Sequence, residues 1–442
     1  AGTVWYHDHA LGITRLNVYA GMAGFYIIRD NDDSGVHGNM LDLPAHPYEQ
    51  AFAIQDKMFN ADGSLFYPAF PGDPFYEDFI TGEGAILPPD IFPGGGATGL
   101  AEFFGDHMVV NGVLWPKMDV EPRNYRLRFL NGCDSRFLVA QFFEVPAGAT
   151  DFSTAGGPLP FTVIGSDQGL ASEPTTVDTL VMETGSRYDV IFDFKTVTPG
   201  RRVIMKNIGG DTPFGFSYGD DLEPGDIFGT PEDPRSTDRI MAFDVVLPFD
   251  NAIADAAPSG AALLGYDMAR SSAYGPYNKN LPVDRTRKVA LFEGTDEFGR
   301  LQPLLGTAEP ATDRNGNPVN WPNTPDYVNA GLVGQMQGAI AWHSPTTENP
   351  KLGDTEVWEV FNVTGDSHPV HLHLVHFDVL ERREIVWDSN ADEDGFIPDG
   401  MDPANNGTYL VSQPVVQHNG LLGSGFKVMN ASYGAAVDAG AE

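Results

Sequence analysis

The chain has 442 residues, which is too long for one ordinary hydrophobic core and predicts roughly two to four domains. It carries 26 basic and 61 acidic residues, and the resulting net charge of −35 would repel nucleic-acid phosphates and anionic membrane surfaces. No apolar run approaches the roughly eighteen residues needed to span a bilayer. The sequence therefore predicts neither a nucleic-acid partner nor a membrane span.

The composition favours an all-β protein. Glycine (50) and proline (34) are abundant, and apolar residues come in short runs that turn residues interrupt. Residues 1–30 predict two strands around a glycine-rich turn, and the polar stretch from Asn31 to Pro47 predicts a linker. We therefore assign residues 1–40 to the C-terminal end of a first domain and its linker.

Strand-like segments recur between Gln50 and about Phe249. They are AFAIQDKMF, HMVVNGVLW, NYRLRFLNG, FTVIGSD, TLVMETG, YDVIFDF, RVIMKNI and IMAFDVVL. Many of them alternate apolar with polar residues, which is the pattern of half-buried antiparallel strands. A second domain over residues 41–255, built as a β-sandwich or barrel, accounts for these segments.

The remainder of the chain predicts a third β-domain. Residues 250–284 show no clear periodicity and are predicted to be a connection. Strands resume at RKVALFEG and continue through GDTEVWEVFNVTGDSHPVHLHLVHFDVLERR. We therefore assign residues 256–442 to this linker and a third domain.

His7, Asp8 and His9 form the first candidate metal site. The segment is predicted to be a strand, in which side chains two residues apart share a face, so both imidazoles would lie together with Asp8 turned away. Two nitrogen ligands on one rigid edge suit a copper or zinc ion. The short motif leaves open an alternative, in which the two histidines at a strand end are purely structural.

A denser cluster has the sequence HPVHLH and occupies residues 368–373. In a strand, His371 and His373 would share one face, and the leucines that alternate with them would face the core. Pro369 would offset His368, which could then serve a different metal ion. Three histidines at this spacing indicate a metal site more strongly than the first pair does.

The two histidine motifs resemble two copper motifs of multicopper oxidases. HPVHLH looks like the third motif of that family, and WYHDHALGITRLNVYAGMAGFY looks like the second. IQDKMFNADGSLFYP, HMVVNGVLWPKMDVEPRNYRLRFLNGCDSRFL and SRYDVIFDF are similar to the middle cupredoxin domain of the bacterial branch that contains spore-coat laccases and bilirubin-oxidase-like enzymes. The resemblance covers nearly the whole chain, and it implies tandem cupredoxin-like Greek-key domains, each a β-sandwich or barrel.

Carried over residue by residue, the resemblance implies copper ligands at five positions. His7 and His9 would bind the coupled type 3 copper pair, His371 the type 2 copper and His373 a type 3 copper, so that these four histidines serve one trinuclear cluster. His368 would bind the type 1 copper, which takes electrons from the substrate. The full-length protein would then hold four copper ions.

The same resemblance implies the reaction and the place where it occurs. The partners would be dioxygen and a small-molecule reducing substrate, a phenol, an aromatic amine or a tetrapyrrole. One-electron oxidation of four substrate molecules would be coupled to four-electron reduction of dioxygen to water. The location implied is periplasmic, cell-surface or secreted.

Two further motifs of the family are expected outside the chain. The first, an H-x-H, should precede residue 1, and the fourth, an H-C-H, should follow Glu442. We therefore expect a fragment whose first and last cupredoxin domains are incomplete and which is inactive alone.

Cys133 is the single cysteine, so the chain has no internal disulfide, and this cysteine has no neighbouring histidine. It is predicted to be a buried, inert small residue rather than the type 1 copper thiolate.

An acidic segment near the C-terminal end predicts either a calcium site or a solvated loop. Asp388, Asn390, Asp392 and Asp394, followed by a glycine, match the alternating oxygen ligands of short calcium loops. An acidic chain also produces such runs by composition alone. Both interpretations stay open.

Three other functions remain open from the sequence. A non-catalytic, copper-binding cupredoxin array requires that Glu442 be the natural terminus. A metal-ion oxidase is disfavoured by the low number of methionines, 12, because cuprous ions prefer thioether ligands. A copper nitrite reductase shares cupredoxin domains but has no type 3 pair, and the two H-x-H pairs argue against it. The sequence does not specify the oligomeric state.

Overall fold

The computed structural model of the chain is built mainly of β-strands. It describes residues 1–70, 72–73, 88–91, 102–167, 169–210, 237–274, 282–296, 301–329, 332–340, 344–362, 367–373, 375, 377, 379–380, 382–386, 415–416 and 432–438. The chain divides into two compact units, the first containing residues 1–67 and 102–277 and the second containing residues 68–101 and 278–442. The all-β class predicted from the composition is confirmed, whereas the predicted domain limits stay predictions.

The first unit contains most of the described strands. They are β1 Gly2–His7, β2 Ala23–Ile28, β3 Glu49–Phe59, β4 Leu65–Phe66, β5 His107–Val110, β6 Val113–Leu114, β7 Lys117–Val120, β8 Asn124–Asn131, β9 Leu138–Val145, β10 Phe161–Ser166, β11 Gly169–Val177, β12 Leu180–Met182, β13 Arg187–Asp193, β14 Arg202–Asn207 and β15 Arg239–Val245. Its helices are α1 Thr14–Tyr19 and α2 Gly260–Tyr274, with a 3₁₀ turn at Phe194–Thr196.

Two sheets enclose the core of the first unit. One has the strand order β11-β10-β13-β8-β3-β5-β6, with β4 paired to β3, and the other has the order β12-β9-β14-β15-β7. Apolar side chains from both sheets, among them Phe129 of β8 and Phe142 of β9, are fully buried in one cluster. This is the sandwich that the alternating strand patterns predict.

Strand β8 shows how the alternation divides its side chains between two faces. Tyr125, Leu127 and Phe129 point into the core between the sheets. Arg126 and Arg128 lie on the opposite face, yet they too are almost completely buried, at 1% and 0% exposure. The prediction of a half-buried strand is therefore wrong for β8, because other segments cover its polar face.

The buried arginines of β8 are neutralised by three carboxylates. Arg126 donates to both oxygens of Asp189 at 2.6 to 3.1 Å and to Asp33 at 2.9 Å. Arg128 donates to Glu49 at 2.7 Å and to Asp189 at 3.0 Å. Burial opposes ionisation of Asp189, but the charges of Arg126 and Arg128 outweigh it and hold its pKa below the usual value. We call these five residues the buried ion network.

Strand β1 lies over this same face of the large sheet. The hydroxyl of Thr3 accepts a hydrogen bond from Arg128, and the carbonyl oxygen of Thr3 accepts one from Arg187 at 3.1 Å. Strand β1 pairs antiparallel with β2, as the sequence predicted for residues 1–30, although α1 lies between the two strands. Strand β1 is therefore held on the large sheet by hydrogen bonds from two of its arginines.

Helix α2 occupies part of the segment that was predicted to be an irregular connection. Leu263 and Tyr266 are buried against Ile164, Leu170 and Ile191 of the large sheet. These contacts offset the cost of ordering the segment, because burying apolar side chains against an existing sheet removes them from water. The segment is thus a connection that contains a 15-residue helix.

The second unit contains a smaller described sheet. The described strands of this unit are β16 Arg285–Asp296, β17 Leu301–Thr307, β18 Gly338–Ala339, β19 Glu356–Asn362, β20 Arg382–Val386, β21 Val415–Val416 and β22 Ser432–Asp438, and its described helix is α3 Pro325–Asn329. Strands β20 and β22 pair with each other in a separate two-stranded sheet. Strand β16 pairs antiparallel with β17 and parallel with β19, which confirms the strands predicted at RKVALFEG and in the segment after it. Across the described ranges, no helix is both long enough and apolar enough to cross a membrane.

Candidate metal centre

The first histidine pair lies where β1 ends. His7 is the last residue of the strand, and His9 lies beyond it, so the prediction that both belong to one strand is wrong for His9. The departure follows from Asp8, whose carboxylate accepts a hydrogen bond from the backbone N–H of Ala10 at 3.1 Å and diverts the chain from the ladder. The two imidazole centroids are nevertheless 5.5 Å apart, with their planes inclined by 30°.

His7 is held on two sides. Its Nδ1 atom lies 2.6 Å from the carbonyl oxygen of Asp8, and this oxygen can accept a hydrogen bond only when Nδ1 carries the proton. The indole of Trp5 lies against the imidazole, with 4.5 Å between ring centroids and 31° between the planes. The tautomer leaves the Nε2 lone pair of His7 as the one that can bind a metal.

Trp5 requires a close approach to the turn before β13. A Cβ atom placed on Gly185 would lie 3.3 Å from the indole, and Gly185 has a φ of +81°, which favours glycine. Glycine at this position therefore lets the indole approach the turn closely. In this way a turn of the large sheet restricts the ring that packs on His7.

The second histidine cluster is not in a strand in the described structure. Residues 367–373 have no strand assignment, so the prediction that His371 and His373 share a strand face is wrong. Pro369 explains part of this, because proline cannot donate a ladder hydrogen bond. The rings of His371 and His373 are nonetheless close, with centroids 4.9 Å apart and planes inclined by 80°. Both side chains are exposed and His368 is half-buried.

Each histidine pair could supply part of the donor set of a metal ion. Two imidazoles with ring centroids 5.5 or 4.9 Å apart suit copper, which accepts nitrogen ligands from histidine. Within the described residues of each unit, no group of three or more His, Cys, Asp or Glu side chains is arranged to hold a metal ion. His7 and His9 belong to the first unit, whereas His368, His371 and His373 belong to the second. Their convergence on one site therefore stays a prediction.

Cys133 lies in the apolar core of the first unit. It is 6% exposed, and its Sγ atom lies 4.0 Å from the carbonyl oxygen of Ile54. Burial, together with the nearby charge of Asp56, raises the pKa of the thiol well above its usual value. These are the surroundings of an inert structural cysteine rather than of a metal thiolate.

We expect Cys133 to resist thiol reagents until the protein unfolds. A buried thiol with a raised pKa offers almost no thiolate, which is the reactive form. Titration with a chromogenic disulfide reagent, before and after addition of guanidinium chloride, measures this directly. Cys133→Ser should also leave the visible spectrum of the copper-loaded protein unchanged. Rapid labelling of the folded protein, or loss of a visible band in the variant, would contradict this assignment.

Some predicted residues lie outside the described part of the chain. The predicted calcium ligands Asp388, Asn390, Asp392 and Asp394 are among them, so that site stays a prediction. Sequence analysis in turn missed Asn17, whose side-chain amide donates to Asp8 at 3.0 Å. Asn17 lies in TRLNVY, which was interpreted as part of a turn because six residues are too few for a helical pattern to be recognised.

Comparison with known proteins gives a consistent set of relatives. A family model described as multicopper oxidase matches residues 313–412. The laccase of Bacillus subtilis (strain 168) is 32% identical over 381 residues, which are 86% of this chain and 56% of the laccase. The bilirubin oxidase of Albifimbria verrucaria is 29% identical over 385 residues, which are 86% of this chain and 50% of the oxidase. The chain thus spans about half the length of these curated relatives.

A solved structure supports the fold. The McoA multicopper oxidase of the hyperthermophile Aquifex aeolicus aligns with 86% of this chain and 62% of its own, with a TM-score of 0.50 and 23% sequence identity. At this identity the likeness concerns the fold alone. It agrees with the predicted cupredoxin-like β-domains.

Proposed function

Because the chain belongs to the multicopper oxidase family, we propose that the protein carrying it is a laccase-like oxidase. Family membership implies copper as the metal. The protein would couple the one-electron oxidation of phenols, aromatic amines or tetrapyrroles to the four-electron reduction of dioxygen to water. The observation that carries the proposal is the adjacency of two imidazoles in each histidine motif, 5.5 Å apart at His7 and His9 and 4.9 Å apart at His371 and His373.

In this proposal the histidines divide into two functional sets. His7, His9, His371 and His373 would hold the trinuclear copper cluster, and His368 would hold the type 1 copper. Copper at these sites would accept single electrons and pass them to dioxygen. Four ions in the full-length protein, and a calcium ion in the acidic segment, are further parts of the proposal.

The residues around His7 would keep its metal-binding nitrogen in one direction. The carbonyl oxygen of Asp8 would fix the tautomer, and the indole of Trp5 would limit rotation of the ring. The net charge of −35 would favour neutral or cationic aromatic substrates over anionic ones. We also propose a periplasmic, cell-surface or secreted location, in line with the family resemblance.

Oxygen uptake tests the proposed reaction. The full-length protein loaded with copper should consume one molecule of dioxygen for every four molecules of a phenol or aromatic amine oxidised by one electron. An oxygen electrode and an absorbance assay of the oxidised product give this ratio. The double variant His7→Ala/His9→Ala is the control, and it should lose both oxygen uptake and part of the bound copper.

Two results would contradict the proposed function. Full copper loading without substrate-dependent oxygen uptake would favour a non-catalytic, copper-binding array. Production of hydrogen peroxide in place of water, at a ratio of two substrate molecules per dioxygen, would exclude the four-electron reaction.

A further inference from the structure

Asp8 links the two histidines of the first pair to helix α1. Its backbone N–H donates to the carbonyl oxygen of Met22 at 3.0 Å. One oxygen of its carboxylate, Oδ2, accepts hydrogen bonds from the backbone N–H of Ala10 at 3.1 Å and from the side-chain amide of Asn17 at 3.0 Å. The hydrogen bond from Asn17 therefore ties this carboxylate to α1.

The same residue contacts the imidazole of His7 through its main chain. The carbonyl oxygen of Asp8 lies 2.6 Å from Nδ1 of His7. The backbone of Asp8 is thus fixed by Met22 on its amide side and serves on its carbonyl side as the acceptor that orients His7. Any rotation of this peptide unit would turn the His7 ring and displace His9, the next residue.

Asn17 is itself held firmly in place. Its backbone N–H donates to Ile13 at 3.0 Å, and its carbonyl oxygen accepts from Met22 at 3.0 Å. The following turn of α1 is anchored to β3, because the side chain of Gln55 donates to the carbonyl oxygen of Val18 at 2.9 Å.

Tyr19 completes this anchor. It is 5% exposed, its hydroxyl accepts from the N–H of Met58 at 2.9 Å, and it donates to Phe66 at 2.5 Å. Lys57 donates to the carbonyl oxygen of Tyr19. Hydrogen bonds therefore hold α1 to β3, Asn17 of α1 to Asp8, and the carbonyl of Asp8 to His7.

We propose that Asp8 and Asn17 form a clamp that sets the positions of the His7 and His9 imidazoles before a metal ion binds. The proposal rests on the proposed function, in which these two histidines are copper ligands. In this proposal Asp8 and Asn17 are not copper ligands but positioning residues, which act through His7 and His9. Removing an outer partner that orients a metal-binding histidine typically lowers metal affinity by about 10- to 100-fold.

Three substitutions distinguish a positional role of Asp8 from an electrostatic one. Both side-chain hydrogen bonds end on a single carboxylate oxygen, so the amide oxygen of an asparagine can accept both of them. Asp8→Asn would therefore keep the clamp and remove the charge, whereas Asp8→Ala would remove both. Asn17→Ala would break the clamp and leave the charge of Asp8 in place.

Copper affinity of the full-length protein, measured by competition with a chromogenic chelator, tests the clamp. Asn17→Ala and Asp8→Ala should weaken the copper ions held by the first pair by about 10- to 100-fold. Asp8→Asn should bind copper nearly as well as the parent protein. Asn60→Ala is the matched control, because it removes an exposed asparagine that donates to Ser64 at 3.0 Å in the hairpin after β3. The melting temperatures of metal-free Asn17→Ala and Asn60→Ala should be similar.

Nuclear magnetic resonance of the metal-free protein gives a second readout. With selectively ¹⁵N-labelled histidine, His7 should show the Nδ1–H tautomer in the parent and in Asp8→Asn, and a mixture of tautomers in Asn17→Ala. The His7 signal is identified by its absence in His7→Gln.

Three results would overturn the clamp. The clamp is wrong if Asn17→Ala binds copper as tightly as Asn60→Ala does. It is also wrong if Asp8→Asn loses as much copper affinity as Asp8→Ala. An unchanged His7 tautomer in Asn17→Ala would exclude the positional mechanism. The double variant His7→Ala/His9→Ala separates this failure from failure of the proposed function. If that variant retains all its copper, the ligand assignment is wrong, and if it loses copper while Asn17→Ala does not, only the clamp is wrong.

Discussion

Replacing Arg126 with methionine should lower the free energy of unfolding of the first unit by about 3–5 kcal/mol. Arg126 is 1% exposed and makes hydrogen bonds to Asp189 and Asp33, which are themselves buried. Methionine fills much of the same volume but leaves two carboxylates with less opposing charge and no contact with water. The penalty comes from these uncompensated carboxylates more than from the lost pair itself.

A surface ion pair in the same unit provides the control. Lys117 is 53% exposed and lies 2.7 Å from Asp119 and 3.1 Å from Asp244, so Lys117→Met should cost at most about 1 kcal/mol. Urea denaturation followed by intrinsic fluorescence compares the two variants under identical conditions. Equal effects of the two replacements would mean that water reaches the buried ion network and screens it.

This network also marks a limit of sequence-based prediction. The alternation in NYRLRFLNG correctly predicts a strand and the three side chains that face the core. It cannot show that Arg126 and Arg128 are buried, because their partners Asp33 and Asp189 lie 93 and 61 to 63 residues away along the chain. A polar face of a strand is solvated unless another segment covers it, and that segment is specified only by the tertiary fold.

Strands β7 and β11 illustrate a second limit. Neither was predicted, since KMDV is only four residues long and GLASEPTTV contains both a glycine and a proline. Each lies at the edge of its sheet, where proline is tolerated and the strand is stabilised by pairing on one side only. Edge strands therefore carry weak local signals even in a sheet whose central strands are clear.

The histidine motifs show what spacing can and cannot specify. Spacing identified the residue types that suit copper, and the rings of each pair do lie near each other. It misjudged the backbone at both motifs, because a turn stabilised by Asp8 follows His7 and Pro369 interrupts the region of the second cluster. The orientation of the His7 ring depends on Asn17 in a six-residue helix, which is too short for its pattern to be recognised.

Replacing His368 and replacing His371 should impair different steps of the proposed reaction. In the proposed function, His368 holds the copper that accepts electrons from the substrate, and His371 holds a copper at which dioxygen is reduced. The ligands of a redox centre set its colour and potential locally, whereas turnover needs both centres. Each replacement should therefore abolish turnover while leaving one half of the cycle measurable.

In the full-length protein, His368→Ala should weaken or abolish the intense blue absorption and stop oxidation of the substrate. His371→Ala should keep the blue absorption, which substrate should still bleach under anaerobic conditions because the electron-accepting centre keeps its ligands. Its return on mixing with dioxygen should be slow, since the site of oxygen reduction has lost an imidazole. Anaerobic reduction followed by stopped-flow mixing with dioxygen measures both halves, with the parent protein as the reference. If His371→Ala bleaches the protein and His368→Ala does not, the two histidines bind the opposite centres, and the residue-by-residue assignment from the family is wrong.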